Sequence, residues 1–339
     1  MHSLAALEDF CLQTILKGQQ ENGEFKTFLL FPGKPENGWI YAGPSIFLTS
    51  SIAITLIRSK HDIAKKICER ASVYVASQME RDGLWRFYPH NGLFKFNTPL
   101  DIDDTSLASF LLENTGKCFP NNKALLYQQI NYNSSFYIWF LPRLRYLKAP
   151  AVFFRLVTDL RYSFPIFFPL KGRTDAALIS YNDSEHAVNA NVILYLGKNP
   201  KTEKAINHFV EDLLFGNKHN QYFYPSTIFT YYHASRVYAH LKISQLENLK
   251  NKVVNYLNTD FDYKQANVQY KAIALLTLLN FKISHPIQDA LVNEIQNTTF
   301  EDIAKPYDYF CTKDRNMVGG SAEFTCAVVS EAIRMIKRD

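Results

Sequence analysis

The sequence predicts an all-α fold, an (α/α)6 barrel (toroid) of inner and outer helices that takes in residues 1–339 as a single domain. Three observations predict it. Six segments share a small, polar or Pro-containing start followed by an apolar helical run. Amphipathic segments lie between them. No sustained apolar–polar alternation marks out a sheet.

The six runs begin near Pro44 (PSIFLTSSIAITLI), Ile102 (IDDTSLASFLL), His186 (HAVNANVILYL), Ser226 (STIFTYYHASRVYAHL), Asn267 (NVQYKAIALLTLL) and Ser321 (SAEFTCAVVSEAIRMI). Each is apolar or small around most of its circumference, the pattern of a helix buried on more than one side. They form the inner ring. Ala5–Lys17, Asp62–Gln78, Thr202–Phe215, Gln245–Asn258 and His285–Asn297 each carry one polar face and suit an outer ring with one side wet. Repeated helix pairs build either an open solenoid or a closed ring. Six pairs with inner helices apolar all round favour closure.

The interval from Ile102 to His186 is about twice the one that follows it. It holds an insertion at residues 136–172, FYIWFLPRLRYLKAPAVFFRLVTDLRYSFPIFFPLKG, broken by Pro142, Pro150, Pro165 and Pro169. Its aromatics alternate with Arg143, Arg145, Lys148, Arg155 and Arg161. Two readings stand: an outer helix and flap packed on the barrel, or an interfacial element for peripheral membrane contact, where basic and aromatic residues suit a headgroup boundary.

Composition narrows the classes. Hydrophobic residues make up 47% and charged residues 20%, enough apolar surface for a large core. The 26 Phe and 20 Tyr can line a cavity for an apolar ligand. A net charge of +5, without a nucleic-acid-binding motif, argues against nucleic acid as a partner. The five cysteines (Cys11, Cys68, Cys118, Cys311, Cys326) are scattered, without a CxxC, and read as reduced thiols. With no signal-peptide pattern and no apolar stretch long enough to span a bilayer, the expected location is cytoplasmic, with membrane association through 136–172.

Three stretches carry a resemblance. Arg70–Gln78 followed by Asp82-Gly83-Leu84-Trp85 resembles the QW repeat of squalene and oxidosqualene cyclases, with the gap before Gln78 one residue short. Gln20 and Gly23-Glu24-Phe25 form a degraded copy. Gln near a helix end can bond orphan backbone groups, Gly permits the turn, and Trp packs over the join. Pro99-Leu100-Asp101-Ile102-Asp103-Asp104-Thr105-Ser106 resembles the DxDD motif of class II terpene cyclases. The chain thus resembles the toroids of the squalene-cyclase and prenyltransferase type, class II cyclases above all. That resemblance implies proton-initiated cyclisation or isomerisation of an isoprenoid, with Asp103 as the general acid and Asp101 and Asp104 as flanking carboxylates. Class II cyclases usually set the site between two toroids, and this chain is long enough for one. Its cavity would then be closed by the insertion, a homodimer or another partner.

The chemistry of the residues runs the same way. Adjacent carboxyls cannot all ionise in an apolar pocket, so one keeps its proton. Aromatic walls stabilise a carbocation by cation–π contact; Tyr222, Phe223, Tyr224, Tyr231 and Tyr232 are the candidates, with Trp39 and Trp85 behind them. Asn189 and Asn191 sit inside an apolar run and need partners. With His233 and Glu323 they complete the candidate substrate-binding set. The plainer alternative is that the acids after Pro99 cap a helix and oppose its dipole, and that the polar groups bond between helices.

No phosphate loop, G-x-S-x-G, HExxH or DDxxD motif is present. Protein prenyltransferase β-subunits hold zinc on Asp, Cys and His, but Cys311, Cys326 and His233 show no such spacing. No metal site is expected, except that a diphosphate substrate would call for Mg²⁺ with basic residues such as Lys171, Arg173 or Lys313. Two other functions fit the same fold: a non-catalytic toroid binding a lipid, polyprenyl chain or peptide, and a carbohydrate-processing toroid pairing Asp103 with Glu323.

Overall fold

The computed structural model describes residues 2–89, 98–167, 180–216 and 221–337. In chain order the helices are α1 (Leu4–Gly18), α2 (Ile46–Leu56), α3 (Asp62–Ser77), α4 (Ile102–Asn114), α5 (Lys123–Tyr127), α6 (Pro150–Phe167), α7 (His186–Leu196), α8 (Glu203–Phe215), α9 (Thr227–Leu241), α10 (Lys250–Thr259), α11 (Val268–Phe281), α12 (Ile287–Asn297), α13 (Phe300–Ile303) and α14 (Ala322–Ile336).

Each of the six runs apolar around its circumference is an inner helix. α2 packs on α4, α4 on α7, α7 on α9, α9 on α11, α11 on α14, and α14 returns to α2, so the ring closes. Every residue of α2 and of α7 is buried, which is why their sequences show no polar face. The amphipathic helices lie outside. α1 covers α14 and α3, α3 covers α2 and α4, α8 covers α7, and α12 covers α11. A 3-10 turn at Ser244–Leu249 leads into α10 and packs on α9.

The inner helices start at Ser45, Asp101, Glu185, Ser226, Asn267 and Ser321. Ser45, Asp101, Asn267 and Ser321 cap their own helices through the side chain, satisfying amide groups that a helix start leaves orphaned. One bond recurs at the fourth residue past the cap. Thr49 Oγ1 accepts from the amide of Phe25 at 3.2 Å, Thr105 Oγ1 from that of Trp85 at 3.0 Å, and Asn189 Oδ1 from that of Phe136 at 2.9 Å. Phe25, Trp85 and Phe136 are all fully buried. Each extended segment is thereby pinned to the inner helix behind it.

The turn after α3 follows the same logic. The Trp85 indole donates to the carbonyl of Val75 near the end of α3 at 2.8 Å, and Gln78 Nε2 donates to Ser77 Oγ at 3.0 Å. Gly83 holds a left-handed φ of 69° against the carbonyl of Pro120, where a Cβ would collide. In the degraded copy Gln20 Nε2 donates to the end carbonyl of Gly18 at 2.9 Å, and Gln19 Nε2 to the carbonyls of Gly23 and Ile67, both at 3.0 Å.

The expectation of no sheet is corrected. β1 (Lys26–Leu30), β2 (Ile40–Pro44), β3 (Trp85–Arg86), β4 (Leu100–Asp101), β5 (Phe310–Cys311) and β6 (Val318–Gly320) are strands. They form a four-stranded antiparallel sheet in the order β2-β1-β6-β5 and a β3–β4 pair. Strands of two to five residues are too short to show a period of two against helical neighbours.

Of the insertion, residues 168–172 lie outside the described residues. The rest runs as an extended stretch, a 3-10 turn at Leu144–Lys148 and α6. Three of its basic residues are committed internally. Arg143 lies 3.6 Å from the Tyr137 ring and 4.1 Å from that of Tyr181, Arg145 donates to the carbonyls of Gln128 and Ile130, and Arg155 pairs with Glu80 and Asp82. Leu144, Leu147, Phe154 and Val157 are exposed. Among the described residues no helix is long and apolar enough to cross a membrane.

Candidate active site

The first turn of α4 brings three carboxyls to the ring's interior, at the rim where the inner helices begin. Asp101 is the N-cap: Oδ1 accepts from the amides of Asp103 at 2.6 Å and Asp104 at 3.2 Å. The other two cap nothing. Asp103 Oδ1 accepts from Asn191 Nδ2 at 2.8 Å, and its Oδ2 from the Tyr224 hydroxyl at 2.9 Å. Asn191 also reaches the Tyr224 hydroxyl, at 3.1 Å, closing a triangle. Asp104 is 1% exposed, and among the described residues neither of its oxygens has a hydrogen-bond partner. Capping therefore accounts for one acid of the three.

Burial pushes all three carboxyls above the ordinary carboxylate range. Asp103 rises to about 6, held back by the bonds from Asn191 and Tyr224 and by the charge of Arg236. Asp101 and Asp104 are raised by burial and then by like charge, Asp101 from Asp103 and Asp104 from both others. The cluster holds protons at neutral pH and gives one up most readily at Asp103.

Tyr224 is set in place by Glu185. Instead of capping α7, that carboxylate accepts from the amides of Phe223 at 2.9 Å and Tyr224 at 3.1 Å. The amide of Cys311 on β5 then donates to the carbonyl of Phe223 at 2.8 Å. Burial lifts Glu185 to about 8. Neither Glu185 nor β5 stands out in the sequence, because the two are far apart along the chain and meet only through residues 222–224.

Aromatic rings cluster around Tyr224, the partner of Asp103. Phe47 lies 6.0 Å from Tyr224, 5.1 Å from Tyr309 and 5.7 Å from Phe310; Phe310 meets Phe87 at 5.1 Å, and Tyr309 stacks on Phe324 at 3.7 Å. His233 faces this cluster, 4.9 Å from Tyr224 and 6.4 Å from Tyr309.

The other sequence candidates fall in different places. Asn189 bonds Phe136, Ser184 and the carbonyl of Glu185, serving the repeat and not the acids. Tyr222 lies at the rim under Lys313, whose ammonium is 4.4 Å from its ring and 2.7 Å from Asp183. Trp139 donates to the same Asp183 at 3.3 Å. Tyr231 faces outward to Tyr256 of α10, at 5.4 Å. Tyr232 points inward and its hydroxyl donates to Glu331 at 3.3 Å. Glu323 is packed against Gly18 at the end of α1, so closely that a Cβ on Gly18 would overlap its carboxylate. That places it at the junction of α14 with the outer layer, outside the acid cluster. Lys171 and Arg173 lie outside the described residues. Among the described residues no group of three or more His, Cys, Asp or Glu is arranged to hold a metal ion.

No protein-family model matches the sequence, and no curated protein is similar to it. Solved structures are similar in fold. A protein from Actinoplanes aligns at a TM-score of 0.68 and 14% identity over 99% of this chain and 100% of its own. Type II terpene cyclase MstE from Scytonema aligns as a variant in complex with geranylgeranyl dihydroxybenzoate (substrate), at 0.68 and 12% identity, and as another with merosterolic acid A (product), at 0.67 and 11%. The first covers 98% of this chain, the second 99%, and each covers 97% of the MstE chain. The chain thus has an all-α, terpene-cyclase-like toroid fold, and a terpene cyclase is among the proteins of this fold and size.

Proposed function

We propose that this protein is a class II terpene-cyclase-like enzyme that starts cyclisation or isomerisation of a linear isoprenoid by protonating it from Asp103. One observation carries the proposal: a buried carboxyl that does no structural capping, held by Asn191 and Tyr224 beside an aromatic-lined interior. In the protonated state the Asp103 hydroxyl can donate to Tyr224, because a phenol both donates and accepts. On transfer of that proton to an alkene carbon, a C–H bond forms and the adjacent carbon becomes cationic. Asn191 and Tyr224 then donate to the new carboxylate, while the rings of Phe47, Tyr309 and Phe310 face the cation. Loss of a proton from another carbon ends the sequence with composition unchanged.

The substrate class is a linear polyprenyl chain on a polar head. This rests on the aromatic interior here and on the isoprenoid that MstE binds in the same fold. Asp103 is 6% exposed within a single chain. Purified protein incubated with geranylgeranyl dihydroxybenzoate and with geranylgeranyl diphosphate should yield cyclic isomers of unchanged mass, resolved by liquid chromatography with mass spectrometry. Asp103→Asn should lower turnover by at least about 10²-fold, the minimum expected of a lost general acid. Turnover undiminished in that variant would sink the mechanism.

A further inference from the structure

α9 presents two buried side chains with nitrogens left unpaired among the described residues. Arg236 is 4% exposed and His233 is 1% exposed. Three residues apart, they lie on one face of the helix, directed inward with Tyr232. Among the described residues, Arg236 Nη2 and both ring nitrogens of His233 have no hydrogen-bond partner. Glu331, whose charge acts on Arg236, also accepts from the Tyr232 hydroxyl at 3.3 Å and lies 3.6 Å from Arg334. Arg236 itself rests over the Tyr232 ring at 5.4 Å. A guanidinium this buried ordinarily forks onto a carboxylate or phosphate. Its Nη2, left without a partner, carries a desolvation cost, and the charge would oppose a carbocation formed beside it.

We propose that His233 and Arg236 form the binding site for an anionic head group, carboxylate or phosphate, on the molecule that fills the ring. The pair supplies a planar fork and a neutral imidazole N–H, and burial keeps His233 uncharged. Tyr224 links this site to the acid: its ring lies 4.9 Å from His233 and its hydroxyl bonds Asp103 at 2.9 Å. An anion at Arg236 would cancel the charge that opposes the cation and fix the orientation in which the chain meets Asp103. This deepens the cyclase proposal by naming the polar end of its substrate.

The test compares all-trans geranylgeranoic acid, geranylgeranyl diphosphate and geranylgeraniol as ligands, by calorimetric titration. Wild-type protein should bind at least one of the two anions about tenfold or more tighter than the alcohol, as expected of a buried charged hydrogen bond. Which anion wins identifies the head. The preference should vanish in Arg236→Met and persist in part in Arg236→Lys. Equal binding of acid, diphosphate and alcohol by wild type would overturn the site, as would a preference kept in Arg236→Met. Asp103→Asn separates the two proposals. It should keep the anion preference, and conversion by that variant would refute the cyclase mechanism while leaving this site standing.

Discussion

At the scale of the residue, a group that protonates carbon must be protonated at working pH and yet strongly acidic. Asp103 meets both demands through different neighbours. Burial favours the proton, and the donors Asn191 and Tyr224 favour its release. The pH profile follows. With Asp103 near 6, kcat/KM should be highest below that value and fall as pH rises through it. Tyr224→Phe removes a bond that stabilises the carboxylate, so Asp103 should rise further. The falling limb should then move to higher pH by about one to two units, the equivalent of one charged hydrogen bond. A limb that stays put in the variant would assign the titration to another group. Asp101, Asp103 and Asp104 could be picked out from sequence because they sit together. Their separate roles could not, since those depend on Asn191, Tyr224 and Glu185, which come from other helices and loops. Arg236 had a faint signal, a lone cation inside the apolar run HASRVYAHL, easily taken for a wet face.

At the scale of the element, the side chain four residues past the cap decides where the preceding segment docks. Thr49, Thr105 and Asn189 do the same work in three repeats. Thr105→Val keeps the shape but strands the Trp85 amide, and should cost about 1–3 kcal/mol in urea unfolding. A loss below about 0.5 kcal/mol would show that the bond is replaceable. Inner-helix starts are legible in the sequence because total burial leaves a simple mark, an apolar run with a small polar start. The job of Asn189 was hidden, because a buried amide announces only that it needs a partner, and Phe136 is 53 residues away. The strands were hidden by their length.

At the scale of the whole molecule, the interior acids make stability depend on pH in an unusual direction. Asp101, Asp103, Asp104 and Glu185 all titrate higher in the folded state than in the unfolded chain. The native state therefore binds more protons, and the stability these groups contribute is complete below the ordinary carboxylate range. It is lost as pH rises through about 6 for Asp103 and about 8 for Glu185. The buried His186, His233 and His240 act oppositely, with lowered values that cost stability below the usual 6.5. Tm should therefore fall from about pH 6.5 to about pH 8. Asp101→Asn should make the decline shallower while preserving the cap, since Asn caps as well as Asp. A flat profile in wild type would place charged carboxylates in the native state.

The ring closes where α14 meets α2 and α1, and β6 meets β1. Those partners stand at opposite ends of the chain: β1 pairs Phe28 with Gly320 and Leu29 with Gly319. During synthesis, α1 must therefore wait without its main partner until α14 has been made. Such late, non-local closure slows folding and prolongs exposure of apolar surface. The nascent chain is thus a natural client for chaperones, and its vulnerable interval is set by translation speed.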